Sequence, residues 1–224
     1  TNTHVFVWTP GSGMQDRGMP TFPSYSEVYV TRVSNDGSTV CGFTTAPGTG
    51  STFGFAHAVG SASWELNQGL LGGGQNAVLQ DLSGDGSVIV GADLSAFSSP
   101  NFEAFRSVAG VGNVPLGGVD PSAANSTAYG VSTDGLVTVG IVRQGANFYP
   151  FRAVGGGNMQ ILPGGTGGAY AVNGDGRVIG MGLGFTNQAC IWTAAGGTRR
   201  LRDVLIEQGA DVSGWESLAS VVDI

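Results

Sequence analysis

Two glutamates, Glu27 and Glu216, are the residues of this 224-residue chain whose type and spacing come nearest to catalytic chemistry. Each stands seven residues before a recurring position, the column Ser34, Ser83, Ser132, Asn173 and Asp223. The same offset reaches Asn76, Asn125 and Thr166 in the other three units. Two neighbouring carboxylates are what glycoside cleavage or a bound cation needs. The competing reading is five solvated polar residues at an open mouth. Other chemistries find little support. His4 and His57 are the only histidines, so neither a histidine metal centre nor a Ser-His-Asp triad is expected. His57 is read into the strand column of Arg106 and Arg152. There is no lysine, hence no Gly-x-x-x-x-Gly-Lys phosphate loop, and Gly72–Gly74 and Gly155–Gly157 read as turns.

The aspartates of four Asp-Gly pairs, at 36, 85, 134 and 175, invite a calcium reading. A calcium loop needs several closely spaced oxygen ligands, and Asn35-Asp36 or Gly84-Asp85 supply too few. Aspartate before glycine is expected instead to cap its own backbone. The chain is therefore read as carrying no cofactor and no metal.

These residues must be positioned by a repeat. Each Asp-Gly pair lies between two apolar runs, a strong hairpin signal because glycine accepts the positive φ of a tight turn. The spacings of 49, 49 and 41 residues mark a unit of four short strands, A to D. That unit is the blade of a β-propeller. The expected fold is all-β, a single five-bladed propeller of four-stranded antiparallel blades over residues 1–224. The units run over about 26–67, 75–117, 125–163 and 166–202, with a closing blade from 3–18 plus 216–224. In that blade Val5–Thr9 matches strand C, Met14–Asp16 strand D and Leu218–Asp223 strand A, while strand B has no counterpart. It either exposes an edge for another chain or continues in a further hairpin. Arg199–Gln208 reads as a short helix, capped by Gly209 and packed as a plug.

In such a ring the column Glu27, Asn76, Asn125, Thr166 and Glu216 surrounds the mouth of the channel. Two positions before the serine column, Arg32 and Asp81 stand in a column otherwise filled by Gly130, Ala171 and Val221, and are expected to pair across two blades. The adjoining column, Thr31, Gln80, Tyr129, Tyr170 and Ser220, is expected to face the channel or a seam between blades.

Composition narrows the partners. The chain is 41% hydrophobic and 11% charged, with 40 glycines and a net charge of −7. Acidity argues against nucleic acid and anionic membranes, and no apolar run is long enough to span a bilayer. The start lacks methionine and a signal-like segment, so a targeting peptide is expected to be removed or never present. Cys41 and Cys190 are expected to be buried free thiols.

Phe6–Thr9, Gly13–Asp16 and Ser126–Gly140, with Leu205–Trp215, resemble the HAF repeat of extracellular bacterial proteins. The resemblance covers nearly the whole chain and implies secretion or surface display with a propeller-like repeat, and no defined activity. The long connections Thr44–Phe53, Asp93–Glu103, Val119–Ser126 and Ile141–Tyr149 present Phe97, Asn101, Phe102, Asp120, Arg143, Asn147, Phe148 and Tyr149. Aromatics among amides and charges suit a sugar or peptide surface. The first reading is thus an extracellular or cell-surface binding module for glycan or protein, not an enzyme. A glycan hydrolase or lyase using Glu27 and Glu216, and a subunit that self-associates through blade five, stand as alternatives.

Overall fold

The computed structural model describes residues 3–20, 27–46, 48, 51–61, 64–67, 76–94, 102–117, 125–184, 188–215 and 217–224. Each repeat unit becomes one antiparallel sheet whose strands pair in chain order. The first holds β3 (Glu27–Val33), β4 (Thr39–Thr45), β5 (Thr52–Ala58) and β6 (Glu65–Asn67), after an N-terminal hairpin of β1 (Phe6–Thr9) and β2 (Gly13–Asp16). The second holds β7 (Val78–Leu82), β8 (Val88–Leu94), β9 (Phe102–Val108) and β10 (Gly112–Pro115). The third holds β11 (Ser126–Val131), β12 (Val137–Gln144), β13 (Asn147–Val154) and β14 (Gln160–Ile161). The fourth holds β15 (Gly167–Val172), β16 (Val178–Leu183), β17 (Gln188–Thr193) and β18 (Gly197–Arg200), followed by α1 (Leu201–Glu207). The first strands of successive sheets pack on one another and form the inside of the array.

The Asp-Gly hairpins are four-residue loops rather than two-residue tight turns. Ser34 N donates to Thr39 O at 2.9 Å and Gly37 N to Ser34 O at 2.9 Å, with Gly37 at φ 71°. The serine hydroxyl donates to the Asp36 carboxylate at 2.6 Å and accepts from Thr39 N at 3.0 Å. Ser83-Asp85 and Ser132-Asp134 repeat this pattern, and Asn173 substitutes in the fourth sheet by accepting from Val178 N. Each aspartate is thereby spent on its own turn. The serine hydroxyl and the Ser38 amide hold Asp36 below the usual carboxylate range, and the Ser87 amide heads the contacts that bring Asp85 to about 2.

Inside the first three blades a phenylalanine of strand C lies over a glycine of strand B. Phe55, Phe105 and Phe151 are fully buried opposite Gly42, Gly91 and Gly140. A Cβ on those glycines would lie 1.9, 2.0 and 2.0 Å from the carbonyl oxygens of Tyr29, Val78 and Thr127. The ring thus fills space that the backbone forbids to a side chain on strand B. The fourth blade inverts the sizes, pairing Met181 with Cys190. Both cysteines are buried and free, as expected, and burial pushes the Cys41 thiol up to about 12.

Pairing registers correct one column. His57 pairs with Val40, and Ala56, not His57, occupies the position of Arg106 and Arg152. His57 is buried and stacks on Trp64 at 4.1 Å. The helix is shorter than expected, because Arg199 and Arg200 complete β18. It has no buried residue, so it does not act as a plug. Leu218–Asp223 is not a strand, although it lies against the fourth sheet: Ala189 N donates to Leu218 O at 2.8 Å, and Val221 packs beside Gly180.

Candidate binding site

A cavity of about 430 Å³ opens among the inner strands at the Asp-Gly end. Among its lining residues are Asn35, Gly84, Thr133 and Gly174, each following the recurring serine or asparagine of its sheet, and Ile224, which follows Asp223. Backbone bonds join these turns, from Asn35 N to Gly84 O at 3.0 Å and from Gly84 N to Thr133 O at 2.9 Å. The charges in its wall are Arg32, Asp81 and Asp223. Arg32 Nε lies 3.3 Å from Asp81 Oδ1, the pairing across two blades expected from the column. Asp81 also accepts from Val131 N at 2.8 Å, which ties the second sheet to the third. Burial raises the Asp81 carboxyl above its ordinary value, with a smaller push from Asp223, against the amides and Arg32.

The adjoining column owes its direction to a β-bulge, which the sequence did not announce. The register of each inner strand slips by one residue at Thr31, Gln80, Tyr129 and Tyr170. A bulge turns the extra side chain away from the ladder. The Thr31 hydroxyl donates to Leu79 O at 2.9 Å, across the first seam, and the Tyr129 and Tyr170 rings meet at 5.4 Å. Tyr170 lines the cavity. Polar character recurring at one position of an otherwise apolar strand was the signal available for this wall.

The opposite end carries the residues chosen from sequence. Glu27, Asn125 and Thr166 stand at or just before the first residue of β3, β11 and β15, and Asn76 two residues before β7. They share one end of the inner strands, where Glu27 and Asn76 bond through their side chains and Asn125 and Thr166 through their backbone. The Glu27 carboxylate accepts from the Tyr29 hydroxyl at 2.8 Å, which raises the Tyr29 pKa. Asn76, at φ 105°, donates its amide to Thr52 O at 2.7 Å while its Oδ1 accepts from Thr52 N at 3.1 Å. It therefore clamps the second unit to the first. The Asn125 and Thr166 carbonyls extend their ladders by accepting from Arg143 N and Gly184 N, both at 2.8 Å. Glu216, Asp120, Phe97 and Asn101 lie outside the described residues.

Ile141–Tyr149 is not an irregular loop. It is the tip of the β12–β13 hairpin, turning at Gly145-Ala146, with Arg143 opposite Phe148 and Val142 opposite Tyr149. These two strands have eight residues each, whereas their sheet neighbours have six and two. The tip therefore projects beyond its sheet, with Arg143, Asn147 and Phe148 exposed. The Arg143 Nε–H donates to Gly145 O at 3.0 Å and braces the turn. His4, the other histidine, contacts the Asp16 carboxylate at 2.8 Å.

No family model and no curated protein sequence matches the chain. Solved structures do. TolB from Acinetobacter baumannii is 15% identical with a TM-score of 0.55, over 86% of this chain and 47% of that one. A TolB candidate from Agrobacterium tumefaciens is 11% identical with a TM-score of 0.59, over 88% and 72%. A prolyl endopeptidase is 16% identical with a TM-score of 0.60, over 88% and 32%. The chain thus spans about half the length of the first and about a third of the last. The fold is a β-propeller. At such identities the likeness reaches no further than fold. Among the described residues no helix is long and apolar enough to cross a membrane.

Proposed function

We propose that the protein is a five-unit propeller acting as a non-catalytic binding module, which takes a glycan or protein ligand at the end bearing Glu27, Asn125 and Thr166. The projecting tip of β12–β13 carries this reading. It holds Phe148 about a third exposed beside Arg143 and Asn147, on strands rigid enough to keep an aromatic face presented. An aromatic face stacks on a sugar ring or a peptide while amide and guanidinium donors set orientation. Tyr149 is assigned to the same end. No metal or cofactor is required. A five-unit ring is supported by the matched positions around the axial cavity, by Leu218–Asp223 lying on the fourth sheet, and by the bond from Val28 N to Thr3 Oγ1 at 2.7 Å. Likeness to the HAF repeat supports an extracellular or surface location.

A glycan array together with a pull-down from the source organism's surface proteins tests the reading. Phe148→Ala and Tyr149→Ala are expected to weaken the captured ligand at least tenfold, about 1.4 kcal/mol, while Glu27→Gln leaves it unchanged. Equal binding by Phe148→Ala would remove the hairpin from the site. Sugar release that disappears in Glu27→Gln would replace the binding module with a hydrolase.

A further inference from the structure

We propose that the groove between the third and fourth sheets takes an acidic sugar, a uronate whose carboxylate is held by Arg200. The proposal rests on the binding-module reading above and adds the chemical class of its ligand. A cavity of about 400 Å³ opens on the fourth sheet, lined by Gly164, Leu183, Gln188, Cys190, Thr198 and Arg200. Gly184 lines it too and donates to Thr166 O at 2.8 Å, which sets the cavity at the ligand end. Leu183 pairs with Gln188 and Cys190 with Arg200, so these four side chains share one face. That face packs on the third sheet, because Leu183 and Cys190 join Val137, Val139 and Leu162 in one buried cluster.

The β12–β13 tip supplies the facing wall. Phe148 and Arg143 stand opposite each other, and alternation puts Ile141 and Arg152 on their face of the hairpin. Both of those meet the fourth sheet. Ile141 Cγ2 lies 2.6 Å from the place of a Cβ on Gly168, and the Arg152 guanidinium lies over the Trp192 ring at 5.6 Å. Phe148 and Arg143 therefore continue this wall outward, on strands of eight residues facing strands of six. Leu162 N donates to Pro150 O at 2.8 Å, so Pro163 and Gly164 carry the edge of the third sheet toward the level of Phe148. The aromatic face and the cavity thus flank one connection.

The chemistry of the groove suits an anion. Arg200 is exposed and forms no hydrogen bond or ion pair with another described residue. The other eight of the nine arginines each hold a hydrogen bond, an ion pair or an aromatic ring. Asp203 of α1 acts on the Cys190 thiol together with Arg200, and on Arg199, but pairs with neither arginine. A free guanidinium offers a carboxylate two parallel N–H bonds. The exposed Gln188 amide, on the same face, can serve ring hydroxyls, while Phe148 stacks on the apolar side of the sugar. A peptide is served less well. β16 and β17 are bonded to a strand on each side, so they turn no free edge to a main-chain partner.

The probes are trisaccharides of galacturonate, glucuronate and mannuronate, each beside its neutral hexose counterpart, titrated calorimetrically onto the full chain. At least one uronate is expected to bind saturably, about tenfold more tightly than its neutral counterpart. Arg200→Gln is expected to erase that preference without lowering the melting temperature. Arg177→Gln, which removes the same charge at the Asp-Gly end, is expected to keep it. No uronate bound, equal affinity for acidic and neutral sugars, or a preference that survives Arg200→Gln would overturn the proposal. So would a poly-glutamate peptide that binds more tightly than every uronate and is lost in Arg200→Gln. The two readings fail separately. Neutral and acidic sugars bound alike, and both lost in Phe148→Ala, would keep the binding module and remove the acidic class. Uronate binding lost in Arg200→Gln but intact in Phe148→Ala would keep the pocket and remove the hairpin from the site.

Discussion

Phe151 and Phe6, aligned with each other in the sequence reading of strand C, end in opposite environments. Phe151 is sealed over Gly140, which a strand of its own sheet brings opposite it. Phe6 is the first residue of a two-stranded hairpin and stays more than half exposed. Their local sequences ask for the same thing, since each stands fourth from the end of its strand, which then turns back through glycine. Burial is thus a property of the third strand, not of the phenylalanine. The blade is the unit of stability, and a hairpin taken from it has only one bonded neighbour.

The comparison can be broken at several points. The largest effect is expected at Gly140 and Phe151. Phe151→Ala should cost about 3–5 kcal/mol in denaturant unfolding, as for other buried phenylalanines. Gly140→Ala, whose new Cβ would stand 2.0 Å from Thr127 O, should leave little folded protein. Next comes the turn that links strands A and B. Ser132→Ala removes both the bond to Asp134 and the one from Val137 N, and about 1–2 kcal/mol is expected to be lost. Arg32→Ala should cost about 1 kcal/mol, because its side chain is 40% exposed while Asp81 keeps the Val131 amide. Phe6→Ala should stay within about 0.5 kcal/mol. A loss as large as that at Phe151 would show that the open edge of β1 is covered in solution.

Two aspartates sharpen the contrast between turn and channel through pH. Asp85, brought to about 2 by the Ser87 amide and the Ser83 and Ser87 hydroxyls, lies below the ordinary 3.8. Its contribution is present above pH 3.8 and is lost as pH falls through about 2. Asp85→Asn should flatten the acid limb of a stability–pH curve. Asp81 is shifted the other way by burial, so the folded state keeps its proton where the unfolded chain has lost it. Its contribution declines as pH rises above 3.8, and Asp81→Asn should make the rise of stability there steeper.

Much was legible in the residues themselves. The Asp-Gly period set the blades, their four strands and their order, because turn chemistry and alternation are local. The Arg32–Asp81 pair was legible as two exceptions in a column of small residues. Other features were not. The bulges at Thr31, Gln80, Tyr129 and Tyr170 shift a register by one residue, and no residue type marks them. His57 was placed one column off because Val59 was aligned with Val108 and Val154, whereas its amide bonds to Ser38 O as the Ala109 and Gly155 amides bond to Ser87 O and Leu136 O. Ile141–Tyr149 resembled a loop because Gly145 and Asn147 interrupt it, yet cross-strand pairing carries the sheet to its tip.

The sequence by itself determined the repeat and the hairpins, since each depends on residues a few positions apart. The tertiary structure alone decided that the inner strands enclose a charged cavity at the Asp-Gly end, and that Asn76 clamps two units. It alone decided, too, that Phe6 lies open. Those facts depend on which strand stands beside which, and that neighbour is separated along the chain by whole blades.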